Sequence, residues 1–472
     1  RIAMQLSGPF ALLILALGAH AGTIAEWKSR VIYQVLTDRF ALPPGSTKTG
    51  CDNLGNYCGG TYDGLTAQLD YIKGMGFDAI WISPVIENTD GGYHGYWAKN
   101  LNALNTNFGD VKSLKALVSA AHAKGIWVMV DVVANHVGPV NFDFGQITPF
   151  NDSSCYHPYC EIKDFGDQHQ VEVCRLADLP DLDQSNSFVH DALTNWISTL
   201  VKEYSFDGIR IDTIPEVAKD FWKDFQAAAG VYGLGEVFNG DVGYVSSYQN
   251  QAVDGVFSYP LAFTVRDVFG NKKSMNALED ALGPQGSILS YPDPDALGTF
   301  VDNHDNARFL SFQSDATLYH NALTLVLTTR GIPVIYYGSE QGFHGGNDPA
   351  NREVMWGHYD TSADSYKLIA TIIAHRKAST LYGDKQIQRY ATDTFYAFTR
   401  GDTLVCLTNV GSNGGDVTQN ITYQPFPDGT VLCDVLDETV CVTVTGGAVS
   451  VTLNGGRPRV LFPHKTPTYV DA

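Results

Sequence analysis

Short hydrophobic runs alternate with amphipathic stretches along most of the chain, from Val31 to about Tyr382. The runs are rich in Val, Ile, Tyr and Phe, which predicts β-strands, whereas residues 111–124 and 188–204 repeat their apolar positions with the helical period. The hydrophobic runs lie at residues 31–40, 77–84, 125–136, 206–212, 232–238, 255–260, 297–305 and 331–340. Eight strands with intervening helices predict an α/β fold, a parallel (β/α)8 TIM barrel.

Two segments depart from this alternation. Residues 137–187 are rich in Asp, Pro, Asn, Phe and Cys and show little periodicity, and so long a loop inside a compact fold is normally functional. From about residue 385 the pattern changes to alternating strands separated by Gly and Asn turns, which predicts an antiparallel β-sandwich. We therefore expect a barrel formed by residues 22–136 and 188–384, a small domain inserted after the third strand at 137–187, and a C-terminal sandwich at 385–472.

The first residues have the features of a secretory signal. Met4 is the expected start, Phe10 to Gly18 form an apolar run, and Ala19-His20-Ala21 supplies a small-x-small cleavage site. We expect residues 1–21 to be a signal peptide and the mature protein to be secreted and extracellular. No other segment is long and apolar enough to predict a membrane span.

Charge and composition restrict the partners. The formal net charge is −20 and the sequence pI is about 4.9, so the surface repels nucleic acid and anionic membranes and suits a neutral substrate. The 24 Tyr, 24 Phe and 7 Trp fit stacking on sugar rings, although aromatic residues that fill a large core explain the composition equally well.

The cysteines and two sequons also indicate an oxidising, secretory compartment. We expect local disulfides within three brackets, although the sequence does not fix the pairing of eight cysteines. The brackets are Cys51/Cys58, Cys160/Cys174 and Cys433/Cys441. Cys155 and Cys406 are then free thiols or an additional bridge. Asn151 and Asn420 lie in Asn-x-Ser/Thr sequons and are candidate glycosylation sites.

Several predicted strands end in polar or charged side chains. In a barrel the carboxyl ends of the strands meet on one rim, where the loops build the active site. One polar residue at a strand end is usually a turn residue, but four strands that end in carboxylates and histidines indicate a functional site. These strand ends are Asn135-His136, Arg210 to Asp212, Glu236, and Asn303 to Asp305.

Five segments resemble the signature segments of the α-amylase family of glycoside hydrolases, and they occur in the family's order. They are DVVANH (131–136), LPDLD (179–183), GIRIDT (208–213), GEVF (235–238) and FVDNHD (300–305). The stretches CGGTYDG, GGYHGYW and DPANRE resemble secreted fungal members in particular, and the likeness runs from about Trp27 to Pro463. The resemblance implies an endo-acting, retaining hydrolase of α-1,4-glucans such as starch, glycogen and maltooligosaccharides, acting by double displacement.

Glycoside hydrolysis requires one carboxylate at the anomeric carbon and one protonated carboxylic acid at the leaving oxygen. The resemblance implies that Asp212 is the nucleophile, that Glu236 is the general acid and then the base, and that Asp305 binds sugar hydroxyls and favours the distorted ring. Arg210 lies two residues before Asp212, so on a strand both side chains point the same way. We expect the guanidinium to lower the pKa of Asp212, and Glu236 to have the higher pKa of the pair.

The resemblance implies further contacts with substrate. His136 and His304 would donate hydrogen bonds to the same sugar. The cleft wall would be formed by His94, Tyr96 and Trp97, with Tyr96 stacking on sugar, although core packing is an alternative for Trp97. Asp348 and Arg352 match a substrate-contacting pair, and a surface ion pair is the competing interpretation.

A calcium ion is also implied by the resemblance, and calcium requires hard oxygen ligands. Asn135 and Asp181 match the family's side-chain ligands, while Glu172 and Glu216 match positions that contribute a backbone carbonyl. The ion would hold the inserted domain against the barrel. The alternative for Asp181 is that it caps a turn.

One departure from the family pattern concerns the leaving-group side. Relatives commonly carry Lys-His where this chain has Pro215-Glu216, and many fungal relatives have Asp where Asn239 stands. Two catalytic alternatives stay open, a transglycosylase and a specialised maltooligosaccharide-forming enzyme. A non-catalytic glycan-binding protein is the alternative from another class, but such a protein would typically have lost one of the three carboxylates. We expect a monomer whose partner is the polysaccharide, with no nucleic acid and no membrane.

Overall fold

The computed structural model describes residues 22–464. The predicted signal peptide, residues 1–21, lies outside this range, as do residues 465–472. The α-helices of the described range are α1 (Ile24–Trp27), α2 (Thr37–Phe40), α3 (Tyr62–Ala67), α4 (Leu69–Gly74), α5 (Val111–Ala123), α6 (Gln168–Val173), α7 (Ser187–Tyr204), α8 (Lys219–Ala229), α9 (Val242–Ser246), α10 (Tyr259–Val265), α11 (Asn276–Leu282), α12 (Phe309–Phe312), α13 (Ala316–Thr328) and α14 (Asp364–Ala378).

The strands fall into an N-terminal and a C-terminal group. The first group is β1 (Ile32–Val35), β2 (Ala79–Ile82), β3 (Ile86–Asn88), β4 (Ala98–Leu104), β5 (Trp127–Val132), β6 (Gly208–Ile211), β7 (Tyr232–Gly235), β8 (Gly255–Val256), β9 (Gly298–Thr299) and β10 (Ile332–Tyr336). The second is β11 (Gln386–Ala391), β12 (Phe395–Arg400), β13 (Thr403–Thr408), β14 (Val417–Ile421), β15 (Val431–Asp434), β16 (Asp437–Thr443), β17 (Val449–Leu453) and β18 (Arg459–Pro463).

Eight parallel strands form the predicted barrel. Their order in the sheet is β8-β7-β6-β5-β2-β1-β10-β9, and every neighbouring pair is parallel. The two end strands meet just beyond β8, where the Ser258 N–H donates to the Gly298 carbonyl oxygen at 2.8 Å, so the sheet nearly closes. The carboxyl ends of all these strands therefore lie on one rim.

Side chains alternate between the inside of the barrel and the layer beneath the helices, as the two-residue period of a strand requires. Ala79, Trp81 and Met129 belong to one buried cluster, together with Ile32 and Leu234. Their neighbours along the same strands belong to a larger cluster, which the helices cover; these neighbours include Tyr33, Ile80, Ile82, Val128 and Val130. Asp131, Arg210 and Asp212 fall on the inward-facing positions, and the alternation directs their side chains to the rim.

The C-terminal part is antiparallel, as predicted. It contains a six-stranded sheet in the order β11-β12-β13-β18-β15-β16 and the two-stranded sheet β14-β17. A third buried cluster, which includes Phe395, Leu404, Leu432 and Val451, fills the space between them. Asn420 lies on β14 and is exposed.

Residues 137–187 contain only short helical turns, α6 and isolated bridges, which agrees with their lack of sequence periodicity. The three expected local disulfides are all present, Cys51–Cys58, Cys160–Cys174 and Cys433–Cys441. Cys155 and Cys406 are free and buried, so the additional bridge does not form. Among residues 22–464, no helix has the length and hydropathy needed to cross a membrane.

Candidate active site

Arg210 joins two carboxylates at the rim. Its Nη1 donates to Asp212 Oδ1 at 2.8 Å, and its Nη2 lies 2.9 Å from Glu236 Oε2. Arg210 lies on β6, and Asp212 is the first residue after it, whereas Glu236 directly follows β7. Strands β6 and β7 are neighbours in the sheet. One planar guanidinium therefore fixes both carboxylates, and burial of all three side chains strengthens the interaction.

Glu236 makes two further hydrogen bonds. The Tyr259 hydroxyl donates to Oε1 at 3.2 Å, and the Thr213 N–H donates to Oε2 at 3.2 Å. Thr213 adopts the left-handed region, with φ 47°, and this turn directs its N–H towards Glu236. Burial raises the pKa of Glu236, and the negative charge of Asp212 adds to this rise, while the Arg210 guanidinium opposes it.

Asp131 is a buried carboxylate that sequence reasoning did not single out. It accepts hydrogen bonds from Arg210 Nη1 at 3.0 Å, from the Tyr96 hydroxyl at 2.7 Å and from the Trp81 indole at 3.0 Å. Burial and the negative charge of Asp212 raise its pKa to about 7, against the lowering effect of Arg210. The sequence feature that could have identified Asp131 is its place in the DVVANH segment, on the same face of β5 as Met129. Tyr259 was missed too, because it lies on a helix after a very short strand.

Tyr96 lies between two histidine rings. Its ring stacks on His304 with centroids 5.3 Å apart and on His94 with centroids 5.6 Å apart. Gly95 has φ 95°, and a side chain there would meet Pro84 at 2.7 Å, so glycine permits the turn that places His94 and Tyr96 side by side. Trp97 packs edge-on against His94 at 4.8 Å, whereas Tyr96 itself lines the cleft.

The hydrogen bonds of His304 define its tautomer. Gln34 Nε2 lies 2.8 Å from Nδ1, so Nδ1 accepts, and Nε2 carries the proton. Nε2 is 2.7 Å from the Tyr96 hydroxyl and 3.4 Å from Asp305 Oδ1. Burial and the nearby Arg210 charge lower the pKa of His304 well below its usual value, so the ring is neutral and donates from Nε2.

Arg352 connects the third carboxylate to the far wall. Its Nη2 lies 3.7 Å from Asp305 Oδ1, its Nη1 lies 3.0 Å from Asp348 Oδ1, and its Nε donates to the His304 carbonyl oxygen at 3.1 Å. Arg352 and Asp348 therefore form an ion pair. Arg352 is buried and Asp348 is half exposed, so only the Asp348 end of the pair is at the surface. Burial and the charge of Glu236 raise the pKa of Asp305 to about 7.

The cleft continues beyond Glu236 as an arm between the inserted segment and the barrel loops. Phe165 and Phe238 line it, and their side chains are 66% and 53% exposed. Pro215, Glu216 and Asn239 also line the arm. Glu216 is partly exposed, but its Oε2 is buried and has no hydrogen-bond partner in residues 22–464. Burial and the charges of Glu236 and Asp212 raise the pKa of Glu216 to about 8.

Three oxygen atoms converge beside His136. Asn135 Oδ1 lies 2.9 Å from Asp181 Oδ1 and 3.2 Å from the Glu216 carbonyl oxygen. Three acceptors this close repel one another unless a cation or a donor lies between them. Exchanging the amide oxygen and nitrogen of Asn135 would supply a donor.

The tautomer of His136 argues against that exchange. Its Nε2 is 3.2 Å from the Tyr96 carbonyl oxygen, which can only accept, so the proton is on Nε2. Burial lowers the pKa of His136 to about 4, so Nδ1 of the neutral ring accepts, and it needs the Asn135 amide nitrogen at 3.3 Å. The Asn135 oxygen is therefore directed at the other two oxygens, an arrangement that fits a hard cation.

Two parts of the inserted segment contact residues that form this oxygen cluster. His157 Nδ1 lies 2.7 Å from the other oxygen of Asp181 and orients that carboxylate. His157 was not identified from the sequence. Glu172 lies on α6, which packs on the turn at Ile214–Glu216, and Gln168 of the same helix donates to the Pro215 carbonyl oxygen at 2.9 Å.

Family comparisons cover both parts of the chain. A family model described as "Alpha amylase, catalytic domain" matches residues 34–380. A second, described as "Alpha-amylase, domain C", matches residues 388–468.

Individual relatives match over nearly the full length. An "Alpha-amylase" of Saccharomycopsis fibuligera is 41% identical over 464 residues, which cover 93% of this chain and 92% of the relative. The solved α-amylase of Malbranchea cinnamomea superposes with a TM-score of 0.90 at 41% identity, covering 94% of this chain and 98% of that one. The α-amylase of Geobacillus thermoleovorans, solved in complex with acarbose, gives a TM-score of 0.84 at 31% identity, covering 93% and 99%.

Proposed function

This chain belongs to the α-amylase family of glycoside hydrolases and is a starch-hydrolysing α-amylase, and we propose that it cleaves internal α-1,4 bonds with retention at Asp212, Glu236 and Asp305. The observation that supports this assignment best is the shared guanidinium of Arg210, which holds Asp212 and Glu236 at 2.8 and 2.9 Å. Because both carboxylates bind the same planar guanidinium, they lie close to each other at the rim. An inverting enzyme needs room for a water between its carboxylates, so this close approach favours retention.

The proposed reaction has two steps. Asp212 attacks the anomeric carbon while the bond to the leaving oxygen breaks, and that oxygen takes the proton of Glu236. Glu236, now a carboxylate, removes a proton from a water that attacks the glycosyl ester, and Asp212 is released. The raised pKa of Glu236 favours the protonated form that the first step needs, and Arg210 Nη1 holds the Asp212 carboxylate in place at 2.8 Å.

The neighbouring groups would bind and distort the sugar. His304 Nε2 lies 2.7 Å from the Tyr96 hydroxyl and 3.4 Å from Asp305 Oδ1, and Arg352 approaches the same Asp305 carboxylate. Tyr96 lines the cleft, and the rings of His94 and His304 pack against it. We propose that His136 acts mainly by positioning, because its Nε2 proton is engaged by the Tyr96 carbonyl.

The family is generally calcium-dependent, and the oxygen cluster fits such an ion. We propose that Asn135, Asp181 and the Glu216 carbonyl hold Ca²⁺, with the Glu172 carbonyl as a further ligand. When bound, the ion would balance the charge of Asp181 and tie residues 137–187, as an inserted domain, to the ends of β5 and β6.

The setting we propose is extracellular. The three disulfides fit an oxidising compartment, and both sequon residues, Asn151 and Asn420, are exposed and thus accessible to glycosylation. We propose a secreted monomer whose partner is the glucan, with residues 1–21 removed as a signal peptide and residues 385–472 forming the third domain.

The test is digestion of soluble starch by the wild type and by Glu236→Gln, with products separated by chromatography. We expect mixed maltooligosaccharides from the wild type and a loss of rate of about 10²–10⁴-fold in the variant. Cyclic or lengthened products would instead assign transglycosylation, and binding of glucan without cleavage by the wild type would assign a glycan-binding protein. The presence of all three carboxylates in one cleft supports hydrolysis over the last alternative.

A further inference from the structure

A second cavity, of about 550 Å³, lies on the outer face of α7, away from the catalytic carboxylates. It is bounded by one face of α7, the end of β4, the start of α5 and Pro149 of the inserted segment. Its lining residues do not include any residue that lines the catalytic cleft. The volume is within the range of sites that bind small molecules.

The floor of this cavity is apolar and aromatic. Trp196, Leu200 and Tyr204 form it together with Leu101, and each of them is less than one-tenth exposed. The indole Nε1–H of Trp196 is buried and has no hydrogen-bond partner in residues 22–464. A buried donor without a partner is costly, and a water or hydroxyl that enters from the cavity would relieve that cost.

The rim is polar and mostly neutral. Asn102, Asn195 and Thr199 are exposed there, and within the described residues the two side-chain amides make no hydrogen bond. Thr199 donates to the carbonyl oxygen of Asn195, which leaves its lone pairs for a ligand. Glu203 is the charged residue of the lining, and Lys115 pairs with it at 3.2 Å.

From these features we propose that the cavity is a second, non-catalytic binding site for a maltooligosaccharide. Free amides and a hydroxyl above an aromatic floor suit a neutral ligand with many hydroxyl groups and apolar ring faces. The acidic rim residue and the net charge of −20 disfavour anionic ligands. The choice of glucan rests on the proposed function, because the catalytic cleft would engage the same chains. Such a site would raise the local concentration of substrate near the cleft.

The experiment is calorimetric titration of maltoheptaose into the full-length Glu236→Gln enzyme. We expect two maltoheptaose molecules to bind per enzyme molecule. Adding Thr199→Trp, whose indole would fill the cavity, should reduce this number to one. The double variant Asn102→Ala/Asn195→Ala should weaken the second site at least about tenfold, because two hydrogen bonds are lost. Lys202→Ala is the matched control, exposed on α7 outside the cavity, and should leave both sites unchanged.

With Glu236 restored, the cavity variants should cleave an aryl maltotrioside at the wild-type rate, which shows that the cleft is intact. A stoichiometry of one before any cavity substitution, or a second site that survives Thr199→Trp, would overturn the proposal. A wild type that does not cleave starch would instead overturn the proposed function, so the two failures are distinguishable.

Discussion

Arg210 connects the residues on which the proposed chemistry depends. Its Nη1 donates to both Asp131 and Asp212, and its Nη2 pairs with Glu236, at 2.8 to 3.0 Å. The carboxylates differ because their other partners differ. Asp131 accepts hydrogen bonds from Tyr96 and Trp81, which suits a residue that holds Arg210 in position. Glu236 faces the cleft and has a raised pKa, which suits a general acid.

Tyr259 should tune the acid without taking part in proton transfer. Its hydroxyl donates to Glu236 Oε1 at 3.2 Å, and a donor of this kind favours the carboxylate. Removing it in Tyr259→Phe should raise the pKa of Glu236 further. Activity falls as pH rises through this pKa. The alkaline limb of the pH profile of kcat/KM should therefore move to higher pH by about half a pH unit to one pH unit. Tyr291→Phe, which removes a buried tyrosine hydroxyl outside the catalytic cleft, is the control. A limb that stays in place would refute the tuning role.

Glu216 should affect substrates according to their leaving group. It lines the arm between Phe165 and Phe238, where a leaving oligosaccharide would lie. Glu216→Ala removes the carboxyl but keeps the backbone carbonyl, so calcium affinity should not change. We expect the KM for maltoheptaose to rise about 3- to 10-fold through loss of a hydrogen bond. The KM for an aryl maltotrioside, which places no sugar in the arm, should stay within about twofold. Equal effects on both substrates would contradict this placement.

Among the elements, the barrel strands were predictable because their hydrophobic runs are bounded by charged or polar ends. The run at 206–212 contains β6 and ends at Asp212, and the run at 232–238 contains β7 and Glu236. Strands β8 and β9 are only two residues long in the structure. The hydrophobic runs that predicted them, at 255–260 and 297–305, therefore extend well beyond the strands. Asp131 and Tyr259 act through contacts with Arg210 and Glu236 on other elements of the chain, and these tertiary contacts do not follow from the local sequence around either residue.

The disulfide Cys160–Cys174 should support one wall of the cleft. It closes a loop with a sequence separation of 14, and that loop carries Phe165 and Val171 into the cleft. Replacing both cysteines by alanine should lower the free energy of unfolding by about 3 kcal/mol, measured in urea, and raise the KM for starch. Removing Cys433–Cys441 in the C-terminal sheet should leave KM unchanged. A KM affected equally by both pairs would argue against a local role.

For the whole molecule, the proposed calcium site joins the barrel to residues 137–187, so it should control global stability. Chelation should lower the Tm, because an ion at about 1,000 times its Kd stabilises the folded state by about 4 kcal/mol. Even without chelator, Asp181→Ala should have a Tm as low as that of the chelated wild type. Adding the chelator should not lower it further. Asp183→Ala, which removes a nearby carboxylate outside the oxygen cluster, should still respond. A wild-type Tm indifferent to chelation would exclude a structural role for calcium.

The most direct measurement follows the anomeric protons by NMR immediately after wild-type enzyme is added to maltoheptaose. New reducing ends should appear in the α-configuration and only later equilibrate, because the guanidinium of Arg210 holds Asp212 and Glu236 close together, as a double displacement requires. The Glu236→Gln enzyme should give no signal on the same timescale. New ends that appear first in the β-configuration would contradict the double displacement and, with it, the roles proposed for both carboxylates.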